Sequence, residues 1–309
     1  MQTILGSGGA IGTELARVLP EYTGTIRLVS RNPSRVNSGD LLMVADLTNQ
    51  EAVDQAVAGS AVVYLTVGLT YNTKIWKKSW PLIVDNVIEA CKRHGSKLVF
   101  FDNVYMYHPD AVGRMTEESL VDPVSAKGRV RAKIADKILN SSREGSIKAL
   151  IARSADFYGP SIKGASLLKE SVLKPLSKGK RAQCLGRVDV KHSFTYTPDA
   201  GRATALLGNT DQAYGEVWHL PTAGNPYTMK QWVQIIAEHF GVPPKLLTAN
   251  KFMVRLMGLF IPIMKEMVEM MYQYDRHYVF ISDKFEKYFN FKPTPYQEGI
   301  DQILISDYL

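Results

Sequence analysis

Thr3-Ile4-Leu5-Gly6-Ser7-Gly8-Gly9-Ala10-Ile11-Gly12 decides the reading: a short apolar run ends in a glycine-rich turn, and helical spacing follows at Ile11, Leu15, Val18 and Leu19. A strand that passes through such a turn straight into a helix forms a phosphate cradle. Its glycines permit a tight turn and close backbone approach, while the helix start presents free N–H groups and a partial positive charge to a pyrophosphate. Gly6, Ser7, Gly8, Gly9, Ala10, Ile11 and Gly12 are therefore the first expected contacts to a dinucleotide.

Working outward, strand-length apolar runs at Thr25–Ser30, Leu41–Asp46, Ala61–Thr66, Lys97–Asp102 and Ile147–Arg153 alternate with helical patterns. Thr48 with Glu51 reads as a capping box opening a helix to Ala58, and Ser79 as the cap of a helix ending at His94 and Gly95. Repeated strand-helix-strand units with continuously apolar strands predict an α/β fold, a doubly wound parallel sheet covered on both faces. Residues 1–155 are expected to form this dinucleotide-binding domain. Beyond it, proline-bearing loops at Pro160, Pro175, Pro198, Pro221, Pro226, Pro243 and Pro244 interrupt the pattern. Residues 156–309 are read as a smaller α/β substrate lobe, some of whose segments return to the first domain; helices are expected from Thr228 to Phe240 and from Tyr296 to Ile305.

The chain has 309 residues, 45% hydrophobic and 22% charged, enough to bury a sizeable core and incompatible with extended disorder. Its net charge of +7 is spread over scattered Lys and Arg residues, which favours a phosphate-rich small ligand over nucleic acid. Cys91 and Cys184 have no metal-like or disulfide-framework spacing, so no metal is expected. The longest apolar run, Leu256 to Met264, contains Pro262 and falls short of the ~20 residues of a membrane span. The methionine-rich stretch Phe252 to Met271 reads as core before it reads as a lid, a dimer helix or a membrane contact. The expectation is a cytoplasmic monomer or homodimer with a small-molecule substrate and neither nucleic-acid nor membrane partner, no leader preceding the first strand.

At the end of the second strand, where an acidic residue usually meets the ribose hydroxyls of NAD, stands Ser30-Arg31. Arg31 could pair with a 2′-phosphate, so NADP is expected over NAD, the alternative being a solvent-facing arginine. Asp46 and Leu47 are the expected adenine-edge pair, and Thr66, Val67 and Gly68 are expected along the phosphate and ribose.

Together these residues resemble the extended short-chain dehydrogenase/reductases of the NAD-dependent epimerase/dehydratase family. Gly6, Gly9 and Gly12 match its glycine spacing; Arg153-Ser154-Ala155-Asp156-Phe157-Tyr158-Gly159-Pro160 resembles its sixth-strand end; His192 to Ala203 and Glu216 to Leu220 resemble later segments. The resemblance implies a serine or threonine after the fifth strand and a Tyr-x-x-x-Lys pair on the next helix, the lysine lowering the phenol's pKa for proton exchange during hydride transfer. Here Asn103 takes the hydroxyl's place, Lys133 is aligned with the lysine, and Arg129 stands four residues earlier. A guanidinium stays protonated near neutral pH, so Arg129 cannot exchange that proton.

The implied activity is that of a nicotinamide-dependent oxidoreductase or epimerase/dehydratase-like enzyme on a polar sugar-nucleotide or carbonyl compound, with a degenerate site. A non-catalytic NADP-binding redox sensor or scaffold is the alternative. Lys133, Asn103 and Tyr105 are the expected catalytic groups, with Lys133 holding ribose hydroxyls through a cationic stripe of Arg129, Lys133 and Lys137. Tyr71, Trp76, Arg129, Tyr158 and His192 are expected around the substrate, although Trp76 could equally anchor a helix start and Tyr158 could be a packing residue.

Overall fold

The computed structural model describes residues 1–162, 164 and 166–308. Six strands appear in the first half: β1 (Gln2–Leu5), β2 (Ile26–Ser30), β3 (Leu41–Val44), β4 (Val62–Leu65), β5 (Lys97–Asp102) and β6 (Ala149–Arg153). With the later Val217–His219 strand they form one sheet in the order 217–219, β6, β5, β4, β1, β2, β3. Every pairing in it is parallel, and the order reverses beside β1, so the crevice for a ligand opens above β1 and β4. β1, β4 and β6 are buried along their whole length, as strands covered on both faces must be.

Helices α2 (Gln50–Val57), α3 (Thr73–His94) and α4 (Ala126–Arg143) cover one face through Val53, Trp80, Val84, Val130, Ile134 and Ile138. The other face is covered by α1 (Ala10–Val18) and by the Thr197–Gly208 helix, joined by Phe285 beneath Trp218. The later chain thus gives one strand and two covering segments to the first sheet. What is left of it packs around Tyr158, Phe194, Trp232 and Tyr296, with the Met229–His239 and Tyr296–Asp307 helices as its walls.

Two helix starts differ from the sequence reading. α2 is capped by Asn49, whose side chain accepts from the Ala52 N–H, because the Thr48 hydroxyl is spent on Asp46. α3 begins at Thr73, not near Ser79: the Asn72 side chain accepts from the Lys74 and Ile75 N–H groups, and the added turns bury Trp76. The methionine-rich stretch is divided. Met270 and Met271 are buried, while helices Lys251–Met257 and Pro262–Met267 form a hairpin that leaves Met253 and Met257 at the surface. Among the described residues no helix is long and apolar enough to cross a membrane, and no cluster of His, Cys, Asp or Glu could hold a metal ion.

Candidate functional site

The turn after β1 has the backbone a phosphate cradle needs. Gly6 and Gly8 lie at φ +102° and +87°, a region that a side chain makes costly. A Cβ on Gly6 would stand 2.3 Å from the Val67 Cα, whereas at Gly8 it would meet nothing within 4 Å. The turn is therefore clamped against the end of β4 on one side and open on the other. Gly9, which precedes α1, carries no side chain to cap it, so the first N–H groups of α1 lack a side-chain partner. Beside it the Ser7 hydroxyl is buried without a hydrogen-bond partner, as is that of Ser30 at the end of β2. A buried hydroxyl left unpaired costs about 1–3 kcal/mol, which a phosphate or ribose oxygen would recover. These features fit a dinucleotide; Ala10 and Ile11 supply the helix start that would receive its phosphates.

Arg31 is exposed at the next position and forms no ion pair among the described residues. Its charge reaches Asp46, whose carboxyl is held below the usual range chiefly by the Thr48 backbone N–H and hydroxyl. Leu47 is buried behind Asp46. Thr66 donates through its backbone to the Leu5 carbonyl, which draws Thr66 and Val67 against the glycine turn, and Gly68 is open.

At the carboxyl end of β5 the helix phase of α4 decides which side chains turn inward. Val130, Ile134 and Ile138 face the sheet, and Lys127 and Arg131, four residues apart, lie beside them fully buried. Arg129 and Lys133 fall on the opposite face. The Arg129 guanidinium folds back to the Val124 carbonyl, Lys133 is exposed, and Lys137 pairs with Asp85 of α3. The cationic stripe expected to face a cofactor thus faces solvent. Placing it inward would have buried three charges without their partners, which are available only to Lys127 and Arg131.

The Lys127 ammonium lies 2.6 Å from Glu266 and 2.9 Å from Glu269 and sits over the Tyr71 ring at 4.6 Å. Glu266 also accepts from the Thr73 N–H and hydroxyl, and Glu269 from the Ala126 N–H. Segment 262–273 is thereby tied to the starts of both α3 and α4. Arg131 reaches the other way, its Nε donating to Asp102 at 2.7 Å, and Arg153 of β6 meets the second oxygen of that carboxylate at 3.3 Å. From Arg153 a chain continues: its guanidinium donates to the Tyr107 hydroxyl, which lies 2.7 Å from His219 Nε2, while Nδ1 of His219 lies 2.7 Å from the Ile281 carbonyl. Burial pushes the His219 pKa down to about 3, so the neutral ring donates from Nδ1 and accepts at Nε2.

Asn103 caps the turn after β5, its side chain accepting from the Tyr105 N–H. Tyr105 stacks on Trp76 at 6.1 Å and meets Tyr71 edge-on. Burial pushes its phenol pKa upward, with the Asp156 carboxylate adding to the shift. Trp76 itself donates to the Thr70 carbonyl, which pins the loop after β4. His192 lies 2.9 Å from Asp156 and stacks between Tyr274 and Tyr278. Tyr158 is elsewhere: it packs on Tyr196, Trp232 and Tyr296 in the second core, away from Tyr105 and Asn103.

The sequence profile of the NAD dependent epimerase/dehydratase family matches residues 3–220. The chain belongs to that family.

Several solved structures share its fold. The UDP-glucose 4-epimerase of Thermus thermophilus, solved with NAD, is 18% identical with a TM-score of 0.78, over 99% of this chain and 98% of that one. The dTDP-glucose 4,6-dehydratase of Streptomyces venezuelae, a double mutant with NAD and DAU bound, gives 14% and 0.81 over 99% and 96%. The UDP-glucuronic acid 4-epimerase of Bacillus cereus, in complex with NAD, gives 16% and 0.78 over 98% and 98%. No curated protein sequence matches the chain.

Within this epimerase/dehydratase fold, the inward pair at a spacing of four on α4 is Lys127 and Arg131, not the aligned Lys133 with Arg129 four residues before it. The sequence marked the apolar stripe of that face but not which cations join it. Lys127 and Arg131 flank the Val130-Ile134-Ile138 stripe, and Gly128 follows Lys127 where a Cβ would stand 2.2 Å from the Tyr105 carbonyl. Glu266 and Glu269 carried no comparable signal, being distant in the chain.

Proposed function

We propose that the chain is a nicotinamide-dependent enzyme of the epimerase/dehydratase type acting on a polar carbonyl or sugar-nucleotide compound, with a lysine where the family keeps its tyrosine. The observation that carries the cofactor is the open glycine turn beside the unpartnered Ser7 and Ser30 hydroxyls. The unpaired Arg31 next to Ser30 supports NADP over NAD, although the solved relatives named above hold NAD. Bound there, the cofactor would supply hydride transfer, and this chain's residues would orient the substrate and stabilise charge.

The phenols of Tyr71 and Tyr105 offer donors for a substrate oxygen, and the Lys127 ammonium, whose three protons go to Glu266, Glu269 and the Glu266 carbonyl, holds positive charge beside the Tyr71 ring. Burial keeps both phenols protonated at neutral pH, which suits donation and not proton abstraction. Asp156 with His192 offers an acceptor close enough to Tyr105 to act on its phenol. Turnover is tested by following nicotinamide absorbance against a panel of carbonyl and sugar-nucleotide compounds; activity lost in Lys127→Met and Tyr105→Phe with cofactor binding intact supports these roles. Activity unchanged in both variants overturns them. The engagement of Lys127 by two carboxylates favours a second reading, a cofactor-binding sensor without turnover, which the same panel identifies by binding with no activity in any form. We place either activity in a reducing cytoplasm, a setting compatible with the two free cysteines.

A further inference from the structure

The hairpin formed by residues 251–267 exposes apolar side chains in an unusual density. Phe252 is 74% exposed, Leu256 54%, Leu259 73% and Phe260 84%, with Ile261 and Ile263 also at the surface. The hairpin is anchored from beneath by Val254 and Met271, so the exposed set is the outer side of a seated element. Large contiguous apolar patches on a folded chain mark interaction surfaces.

Cations surround this tip. Lys251 and Arg255 precede it, Lys265 follows it, and Lys74 lines the same groove of about 1180 Å³ between the hairpin and the start of α3, with Lys77 and Lys78 one turn further along that helix. None of these six forms an ion pair among the described residues. The carboxylates in this groove, Glu266 and Glu269, are both engaged by Lys127. Lys127 offsets one of those two negative charges, so the surface presents an apolar tip inside a collar whose six cations face one remaining negative charge. A second copy docking by the same face would bring like charges together. An anionic lipid surface satisfies both features, since hydrocarbon receives the apolar side chains while the headgroups meet the cations.

We propose that residues 251–267 are a peripheral docking element for an anionic bilayer, lying on the membrane without crossing it. This takes the place of the expectation of no membrane partner. Docking is chiefly apolar at Leu259 and Phe260 and electrostatic at Lys251, Arg255 and Lys265. The test is sedimentation of the full chain with phosphatidylcholine vesicles containing phosphatidylglycerol, against phosphatidylcholine alone, with light scattering to measure oligomeric state.

Binding to the anionic vesicles is expected at about 0.1 M salt, weakening as salt is raised because the screening length shortens. Leu259→Ser with Phe260→Ser is expected to reduce partitioning at least about tenfold, and Lys251→Gln with Arg255→Gln to reduce it without abolishing it. These side chains are exposed, so an unchanged thermal transition shows that folding is intact. No vesicle binding by the parent chain overturns the proposal. So does a dimer that Leu259→Ser with Phe260→Ser converts to monomer in the absence of vesicle binding, which would assign the face to a second copy.

Discussion

Removing the Lys127 ammonium is the sharpest perturbation of the site, because its two partners are unequal to it in burial. The lysine side chain is 0% exposed, whereas those of Glu266 and Glu269 are 16% and 27% exposed. Breaking a buried pair leaves an uncompensated charge and costs about 3–5 kcal/mol when the survivor is fully buried. In Lys127→Met the survivors are two partly hydrated carboxylates that keep their backbone and hydroxyl donors at Thr73 and Ala126, so about 2 kcal/mol is expected. In Glu266→Gln with Glu269→Gln the survivor is a buried ammonium, and the cost should approach the full range. Combining all three substitutions removes every charge and should recover much of the loss. Urea unfolding followed by circular dichroism gives the midpoints, with an unchanged slope showing that the same surface is exposed. A Lys127→Met loss below about 0.5 kcal/mol, or a greater loss than in the double glutamine variant, would refute the reasoning.

His219 makes stability depend on pH. Its folded-state pKa of about 3 lies below the ordinary 6.5, so between these values the unfolded chain binds a proton that the native chain does not. Stability contributed by neutral His219 is complete above pH 6.5 and is lost as pH falls toward 3, at up to about 1.4 kcal/mol per pH unit; His219→Gln should flatten this part of the unfolding-versus-pH curve. Gly6→Ala should abolish dinucleotide binding and lower the melting temperature, since its Cβ meets the Val67 backbone; Gly8→Ala, with open space around it, should cost only the backbone strain of about 1–2 kcal/mol. Lys127→Tyr combined with Arg131→Lys puts a Tyr-x-x-x-Lys pair on the inward face of α4, and under the proposed register is expected to raise turnover on the carbonyl panel, whereas Arg129→Tyr, on the outer face, is not.

The parts of the fold written in local pattern were legible. β5 runs over the residues expected, Thr228 caps its helix through a capping box with Gln231, and Gly241 closes that helix at φ +62°. The glycine turn was legible because strand, turn and helix are adjacent in the chain. The inward face of α4 was not, because a charged residue reads as exposed unless its partner is known. Asp102 lies 29 residues from Arg131, and Glu269 lies 142 from Lys127. Trp76 and Tyr158 could not be divided between site and core by type alone; the Thr70 carbonyl holds one, and Trp232 and Tyr296 enclose the other. Asn103 follows β5, and its side-chain oxygen accepts from the Tyr105 N–H.

Everything proposed for the site rests on Gly6 to Gly12 holding a nicotinamide dinucleotide whose phosphorylated form is preferred through Arg31. Calorimetric titration of the full chain with NADPH and with NADH tests this directly, alongside Arg31→Asp. Saturable binding of both is expected, tighter for NADPH, with the preference lost or reversed in Arg31→Asp. Tighter binding of NADH by the parent chain would contradict the role of Arg31, and no saturable binding of either would contradict the cradle itself.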